Sequence, residues 1–133
     1  MSNASVEDLA RLTSIRHALL RLHKTLLDAQ RVKYEREHGT VGSAGRLLEL
    51  VISDPSFNWL HRISELIVQM DEAMEDKENP ISTEALRGFV ARTKALLTPA
   101  EHAEDVFARS YFDALQGDAN VGVVHGEVQK LLK

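Results

Sequence analysis

The sequence contains no cysteine, few aromatic residues and no long apolar run. The absence of cysteine excludes disulfides, thiolate metal sites and cysteine nucleophiles, and it fits a reducing compartment. No apolar run approaches the roughly 18 residues of a membrane span, and no signal-peptide pattern opens the chain. We therefore expect a soluble cytoplasmic protein that has no membrane partner.

A surplus of positive charge is missing as well. The 16 lysines and arginines stand against 20 acidic residues, which gives a net charge of −4 at pH 7. Proteins that bind nucleic acid need a cationic surplus, and those that bind single strands add aromatic stacking surfaces. With that charge and a single tryptophan, we expect no nucleic-acid partner.

The sequence does contain enough apolar residues for one globular domain. Its 133 residues are 44% hydrophobic and 27% charged, which is too apolar for a disordered chain and fits a single domain. The Ser-Asn-Ala at residues 2–4 resembles a vector sequence. We interpret residues 1–4 as a cloning remnant or a disordered N-terminus, and residues 5–133 as one domain.

Helical periodicity is the dominant pattern in the chain. Apolar residues recur every three or four positions from Leu12 to Ala29, with Ser5 placed to cap the helix and Gly39 to stop it. This predicts a first helix over about residues 5–38. Further helices are predicted over about residues 44–52 and 55–74, after Ser82, from Thr98 to about Gly117, and after Asp118.

The predicted fold class is all-α. We expect a compact helical bundle of about six helices, in which the first, third, fourth and fifth form the core. The second and sixth are expected to flank it. The clearest local pattern is Thr98-Pro99-Ala100-Glu101, which matches a capping box with proline at the first helical position and predicts a helix start at Thr98.

Six histidines among many carboxylates make a metal site the first chemistry to consider. Di-iron bundles use two Glu-x-x-His motifs, and the sequence holds one match, in the charged end of the first helix. Weaker metal candidates are His61 with Glu65, one turn apart, and His102 in an acidic stretch. Such pairs are ordinary helix-surface pairs, and a metal needs three or four converging ligands. We therefore expect no cofactor.

The glycine-rich loop before the second helix suggests an anion site. Amides at a helix N-terminus can bind phosphate or carboxylate, so Gly42, Gly45 and Arg46 are candidate cofactor-binding residues. The phosphate-binding loop pattern fails, however, because Leu47 follows Arg46. We favour a flexible turn as the explanation of these glycines.

Two glycines four residues apart, Gly122 and Gly126, lie inside the last predicted helix. Each costs roughly 1 kcal/mol relative to alanine in a helix interior. Close approach of another helix, in the chain or across a dimer, is one way to offset that cost. A frayed C-terminal helix is the other explanation, and the sequence does not choose between them.

Four segments carry a resemblance to other proteins. They are residues 54–60 (DPSFNWL), 63–67 (ISELI), 109–116 (RSYFDALQ) and 125–128 (HGEV). Together they look similar to a group of small uncharacterised bacterial all-helical proteins. The resemblance implies a bacterial cytosolic protein and no particular activity.

No catalytic motif is present: there is no nucleophile elbow, and no histidine stands in a pattern with a second reacting group. The leading hypothesis is a non-enzymatic protein-interaction or structural module that acts as a homodimer through Gly122 and Gly126. The rival hypothesis is a small-molecule or metal-binding bundle, with Trp59, His61, Glu65 and the glycine loop as the first places to look.

Overall fold

The computed structural model describes residues 2–133 and confirms the all-α prediction. Six α-helices and one 3₁₀ segment make up the described chain. In order they are α1 (Val6–His38), α2 (Ala44–Ser53), the 3₁₀ segment Pro55–Leu60, α3 (His61–Glu75), α4 (Thr83–Leu96), α5 (Val106–Gly117) and α6 (Ala119–Leu132). No helix in this part of the chain is long and apolar enough to cross a membrane.

Helix α1 is the central element, since α3, α4, α5, α6 and the 3₁₀ segment all contact it. Its ends lie where the sequence predicts them. The Ser5 hydroxyl accepts a hydrogen bond from the Asp8 amide at 3.1 Å. Gly39 ends the helix at φ 84°, and its amide donates to the Glu35 carbonyl at 2.9 Å. The buried apolar face of α1 consists of Leu12, Ile15, Ala18, Leu19, Leu22 and Leu26.

Helix α6 belongs to the core, so the prediction that it flanks the bundle is wrong. Val121, Val128 and Leu132 are fully buried or nearly so. Arg11 near the start of α1 donates to the Leu131 carbonyl at 3.0 Å, near the end of α6, so the two helices run antiparallel. Glycine at two positions weakened the apolar pattern of α6, and burial against α1 is a tertiary effect that the pattern does not show.

Helix α2 does flank the bundle. Of its residues only Leu50 is buried, while Leu48 is 60% exposed and Ile52 is 68% exposed. The helix lies mainly on the 3₁₀ segment. Part of its apolar face is therefore open to solvent.

The segment after Asp54 differs from the single long helix that the sequence predicts. Asp54 caps it as expected, accepting from the Ser56 amide at 2.9 Å, but the chain winds as a 3₁₀ helix and α3 begins only at His61. Residues three apart face the same way in a 3₁₀ helix, so Phe57 and Leu60 both enter the core.

The predicted helix start at Thr98 is also wrong. The Thr98 hydroxyl donates back to the Lys94 carbonyl at 2.8 Å and therefore satisfies a free carbonyl in the last turn of α4. Helix α5 starts at Val106, where the Asp105 carboxylate accepts from the Phe107 amide at 3.3 Å. Residues 98–101 match the capping pattern, but the Thr98 hydroxyl bonds to the preceding helix and not to an amide that follows it.

Residues 2–4 pair with residues 81–83. The Ala4 amide donates to the Ile81 carbonyl at 2.9 Å, and the Thr83 amide donates to the Ser2 carbonyl at 2.9 Å. This short antiparallel pairing ties the N-terminal segment to the start of α4. The interpretation of residues 1–4 as a cloning remnant is a separate matter and stays a prediction; Met1 lies outside the described residues.

Candidate functional site

A cleft of about 690 Å³ opens between the C-terminal half of α1, the 3₁₀ segment and α5. Pockets that hold small organic molecules have volumes of about 300–1,000 Å³. The exposed wall residues Val32 and Val106 contribute apolar surface, being 40% and 55% exposed. We call this feature the α1–α5 cleft.

The α1–α5 cleft is lined at its base by Trp59 and Gln30, which are 8% and 9% exposed. The Trp59 indole Nε1 donates to the Gln30 Oε1 at 3.1 Å. Because an indole nitrogen only donates, the atom facing it must be the amide oxygen, and this fixes the orientation of the Gln30 amide. The amide NH₂ group therefore points away from the indole.

The NH₂ group of Gln30 has no hydrogen-bond partner in the described chain. No acceptor within residues 2–133 takes a hydrogen bond from it. In the same residues, no side-chain nitrogen or oxygen is both fully enclosed and unpartnered. Because Gln30 lines the cleft and its unpartnered amide nitrogen is not fully enclosed, this group is accessible to solvent.

Aromatic contacts hold the cleft wall in place. The Trp59 and Phe107 rings lie 5.6 Å apart, which ties the 3₁₀ segment to the start of α5. The Tyr34 and Phe57 rings lie 5.8 Å apart, which ties that segment to the end of α1. The end of α1, which loses its apolar rhythm in the sequence, thus packs through Tyr34.

Several acidic groups of the cleft are already used by the fold. The Asp54 carboxylate accepts from the Ser56 hydroxyl at 2.6 Å and from the Ser56 amide, and these hydrogen bonds lower its pKa. The Asp118 carboxylate caps α6 by accepting from the Asn120 amide at 2.9 Å. Both carboxylates are committed to helix ends.

The metal candidates are not brought together by the structure. His61 is exposed, and its Nε2 lies 3.2 Å from the Val51 carbonyl. Glu65 is exposed one turn further on, and the His102 side chain is 90% exposed in the loop before α5. Across residues 2–133, no three histidine, aspartate or glutamate side chains converge.

The glycine loop forms a turn. Gly39 and Gly42 have φ of 84° and 85°, in the region that favours glycine. The Arg46 amide at the start of α2 donates to the Ser43 hydroxyl at 3.1 Å, and the Arg46 side chain pairs with Glu49 at 3.2 Å. Gly45 lies within α2 itself. The Ser43 hydroxyl and the Arg46 guanidinium are thus already paired with groups of the chain itself.

Trp59 is the cleft residue that the sequence analysis singled out; Gln30 was missed. A signal for it exists, since Gln30 follows Leu22 and Leu26 at the same four-residue spacing and so continues the buried face of α1 with a polar residue. A polar group on such a face must find partners. The predicted apolar pattern of the first helix stops at Ala29, one residue before Gln30.

Two histidines outside the cleft are partly buried and hydrogen-bonded. The His23 Nε2 lies 2.9 Å from the Ser64 hydroxyl, and burial, with His61 nearby, lowers the pKa of His23. The His125 Nδ1 lies 2.5 Å from the Tyr111 hydroxyl, and burial lowers the pKa of His125. Burial also raises the pKa of Tyr111, which therefore stays a donor.

Comparison with known proteins found no matching family model, no significantly similar curated protein and no significantly similar solved structure. The resemblance to bacterial helical proteins therefore stays a prediction.

The two partly buried histidines predict a pH dependence of stability. Because their pKa values are lower in the folded chain, the unfolded chain takes up protons first as the pH falls through the ordinary value of 6.5. The free energy of unfolding should therefore fall from about pH 7.5 to about pH 5.5. Denaturant titrations at a series of pH values measure it.

The variants His23→Gln and His125→Gln should each flatten that pH dependence. The matched control is His102→Gln, at a solvated histidine, which should leave the slope unchanged. A slope that is the same in all three variants would show that other groups cause the loss of stability.

Proposed function

We propose that the protein is a non-enzymatic binding module that takes a small organic molecule in the α1–α5 cleft. The observation that carries this proposal is the Gln30 amide, which lines the cleft: its oxygen is held by Trp59, and its NH₂ group has no hydrogen-bond partner within residues 2–133. Small-molecule sites combine apolar surface with polar groups that fix the orientation of the ligand.

The cleft supplies recognition groups but no reacting pair. Ser56 and Ser110 both line it, yet neither hydroxyl is hydrogen-bonded to a histidine within the described chain. A serine nucleophile needs such a base within hydrogen-bond reach. Among residues 2–133, His38 is the histidine that lines the cleft, and its Nε2 lies 3.9 Å from the Glu37 carboxylate and makes no hydrogen bond to a serine. This supports binding over catalysis.

We propose with it a bacterial cytoplasmic location. The sequence resemblance to bacterial helical proteins supports this, as does the lack of cysteine, which is typical of proteins that need no disulfides.

The binding proposal is tested with a panel of small organic fragments in ligand-observed NMR and with the fluorescence of Trp59, the single tryptophan of the sequence. We expect fragments that bind and change the indole emission. The variant Val106→Arg places a long charged side chain at the cleft wall and should weaken their binding at least about tenfold, or roughly 1.4 kcal/mol.

The matched control is Val68→Arg on α3, because Val68 is similarly exposed, at 52%, and does not line the cleft. It should bind the same fragments as the unmodified protein. A panel without a single binder, or equal loss in both arginine variants, would contradict a site in the cleft.

The homodimer is a second proposal, and the glycines of α6 favour it. A Cβ atom added at Gly122 or Gly126 would meet no heavy atom within 4 Å. Within residues 2–133, then, no packed helix offsets the cost of these glycines. Between them Val123 is 62% exposed. A second copy packed on this face would bury Val123. The lack of side chains at Gly122 and Gly126 would let its backbone approach closely.

The variant Gly126→Ala separates the two effects of that glycine. It should stabilise the isolated chain by about 1 kcal/mol, because the helix gains an alanine without a clash, and it should weaken association. Denaturation at low concentration and sedimentation at high concentration measure the two. The matched control, Gly88→Ala in α4, also has free space and should change stability alone. A monomer at tens of micromolar would overturn the dimer.

A further inference from the structure

Three charged side chains of the α1–α5 cleft have no ionic partner in the chain. Lys33 and Arg36 lie on α1, and Asp113 lies on α5. None of the three takes part in an ion pair or a side-chain hydrogen bond within residues 2–133. They differ in this from Asp54 and Asp118, whose carboxylates cap helix ends.

These free charges have opposite signs on the two helices that bound the cleft. A purely anionic ligand would be attracted by Lys33 and Arg36 but repelled by Asp113, by Glu37 beside His38, and by the capping carboxylates. A purely cationic ligand would be attracted by Asp113 but repelled by Lys33 and Arg36. A ligand that carries both charges can satisfy the two helices at once, since each charge then lies nearest its opposite.

The Gln30 amide decides which end of such a ligand lies on α1. Gln30 and Lys33 are three residues apart and therefore neighbours on the helix surface. Their N–H groups are all donors, and the lysine adds a positive charge. A carboxylate is the group that accepts from both, through charge-assisted hydrogen bonds. The positive end of the ligand then faces Asp113.

Apolar surface lies between these charges. Trp59 presents part of its indole there, and Val106 is exposed at the wall. We infer that the cleft binds a zwitterion with an apolar body: a free apolar α-amino acid, or a short peptide with both termini free. The inference rests on the proposed binding function and names the ligand class of that site.

The test uses L-phenylalanine and the dipeptide L-leucyl-L-phenylalanine as probes, with Trp59 fluorescence and calorimetry as readouts. Neither probe contains tryptophan, so the emission belongs to the protein. We expect binding of at least one probe, and the tighter of the two identifies whether the source is an amino acid or a peptide. Phenylalaninamide lacks the carboxylate and N-acetylphenylalanine lacks the ammonium; both should bind at least about tenfold more weakly than phenylalanine.

Two surface variants assign the ends of the ligand. Lys33→Met should weaken the binding of phenylalanine about tenfold. It should leave the binding of phenylalaninamide unchanged, because that probe has no carboxylate to pair with Lys33. Asp113→Asn should weaken the binding of phenylalanine and leave the binding of N-acetylphenylalanine unchanged, because that probe has no ammonium group to pair with Asp113. The matched controls are Lys24→Met and Asp28→Asn, at exposed α1 residues that do not line the cleft.

Each outcome separates this inference from the binding function on which it rests. If the capped derivatives bind as well as phenylalanine, or if neither probe binds while uncharged fragments do, the zwitterion inference is overturned and the binding module stands. If neither the probes nor any fragment changes Trp59 emission, both are overturned. Equal effects in the cleft and control variants would also overturn the assignment of the two ends.

Discussion

One hydrogen bond, from the Trp59 indole to the Gln30 carbonyl, is the contact on which the candidate site depends. It joins the 3₁₀ segment to α1 at a depth where both side chains are about nine-tenths buried. It satisfies the indole donor, which would otherwise be buried at a cost. It also leaves the amide NH₂ as the one polar group of the pair without a hydrogen-bond partner in residues 2–133.

The helix lengths explain why there is a cleft at this end of the molecule. Helix α6 runs antiparallel to α1, but its 14 residues span about 21 Å, against roughly 50 Å for the 33 residues of α1. The last turns of α1 therefore extend beyond α6. The 3₁₀ segment contacts them through Tyr34 and Phe57, and α5 contacts the 3₁₀ segment through Phe107 and Trp59. The space left between these elements is the cleft.

The features that the sequence predicted correctly are those decided by neighbouring residues. Ser5, Ser82 and Asp118 cap helices because each side chain reaches an amide two or three residues away. Thr98 had the same local pattern and failed, because its hydroxyl bonds backward to α4. Nothing in the residues around Thr98 distinguishes these outcomes, since the choice depends on how α4 and α5 pack.

The site was less predictable than the fold for a related reason. Trp59 could be singled out as a large aromatic residue, but its partner Gln30 lies 29 positions away, on another helix. Contacts at that separation follow from packing and not from periodicity. The burial of α6 against α1, also missed, is of the same kind. Gln30, a polar residue on the buried face of α1, is the one feature of the sequence that points to this contact.

The most direct test of the Trp59–Gln30 contact is a double-mutant cycle with Gln30→Met and Trp59→Phe. Each single variant leaves one buried polar group unpaired, whereas the double variant removes both. The double variant should therefore lose less free energy of unfolding than the sum of the single variants, by about 0.5–1.5 kcal/mol. Additive losses would show that the two side chains do not interact, and the oriented amide at the base of the cleft would then have no support.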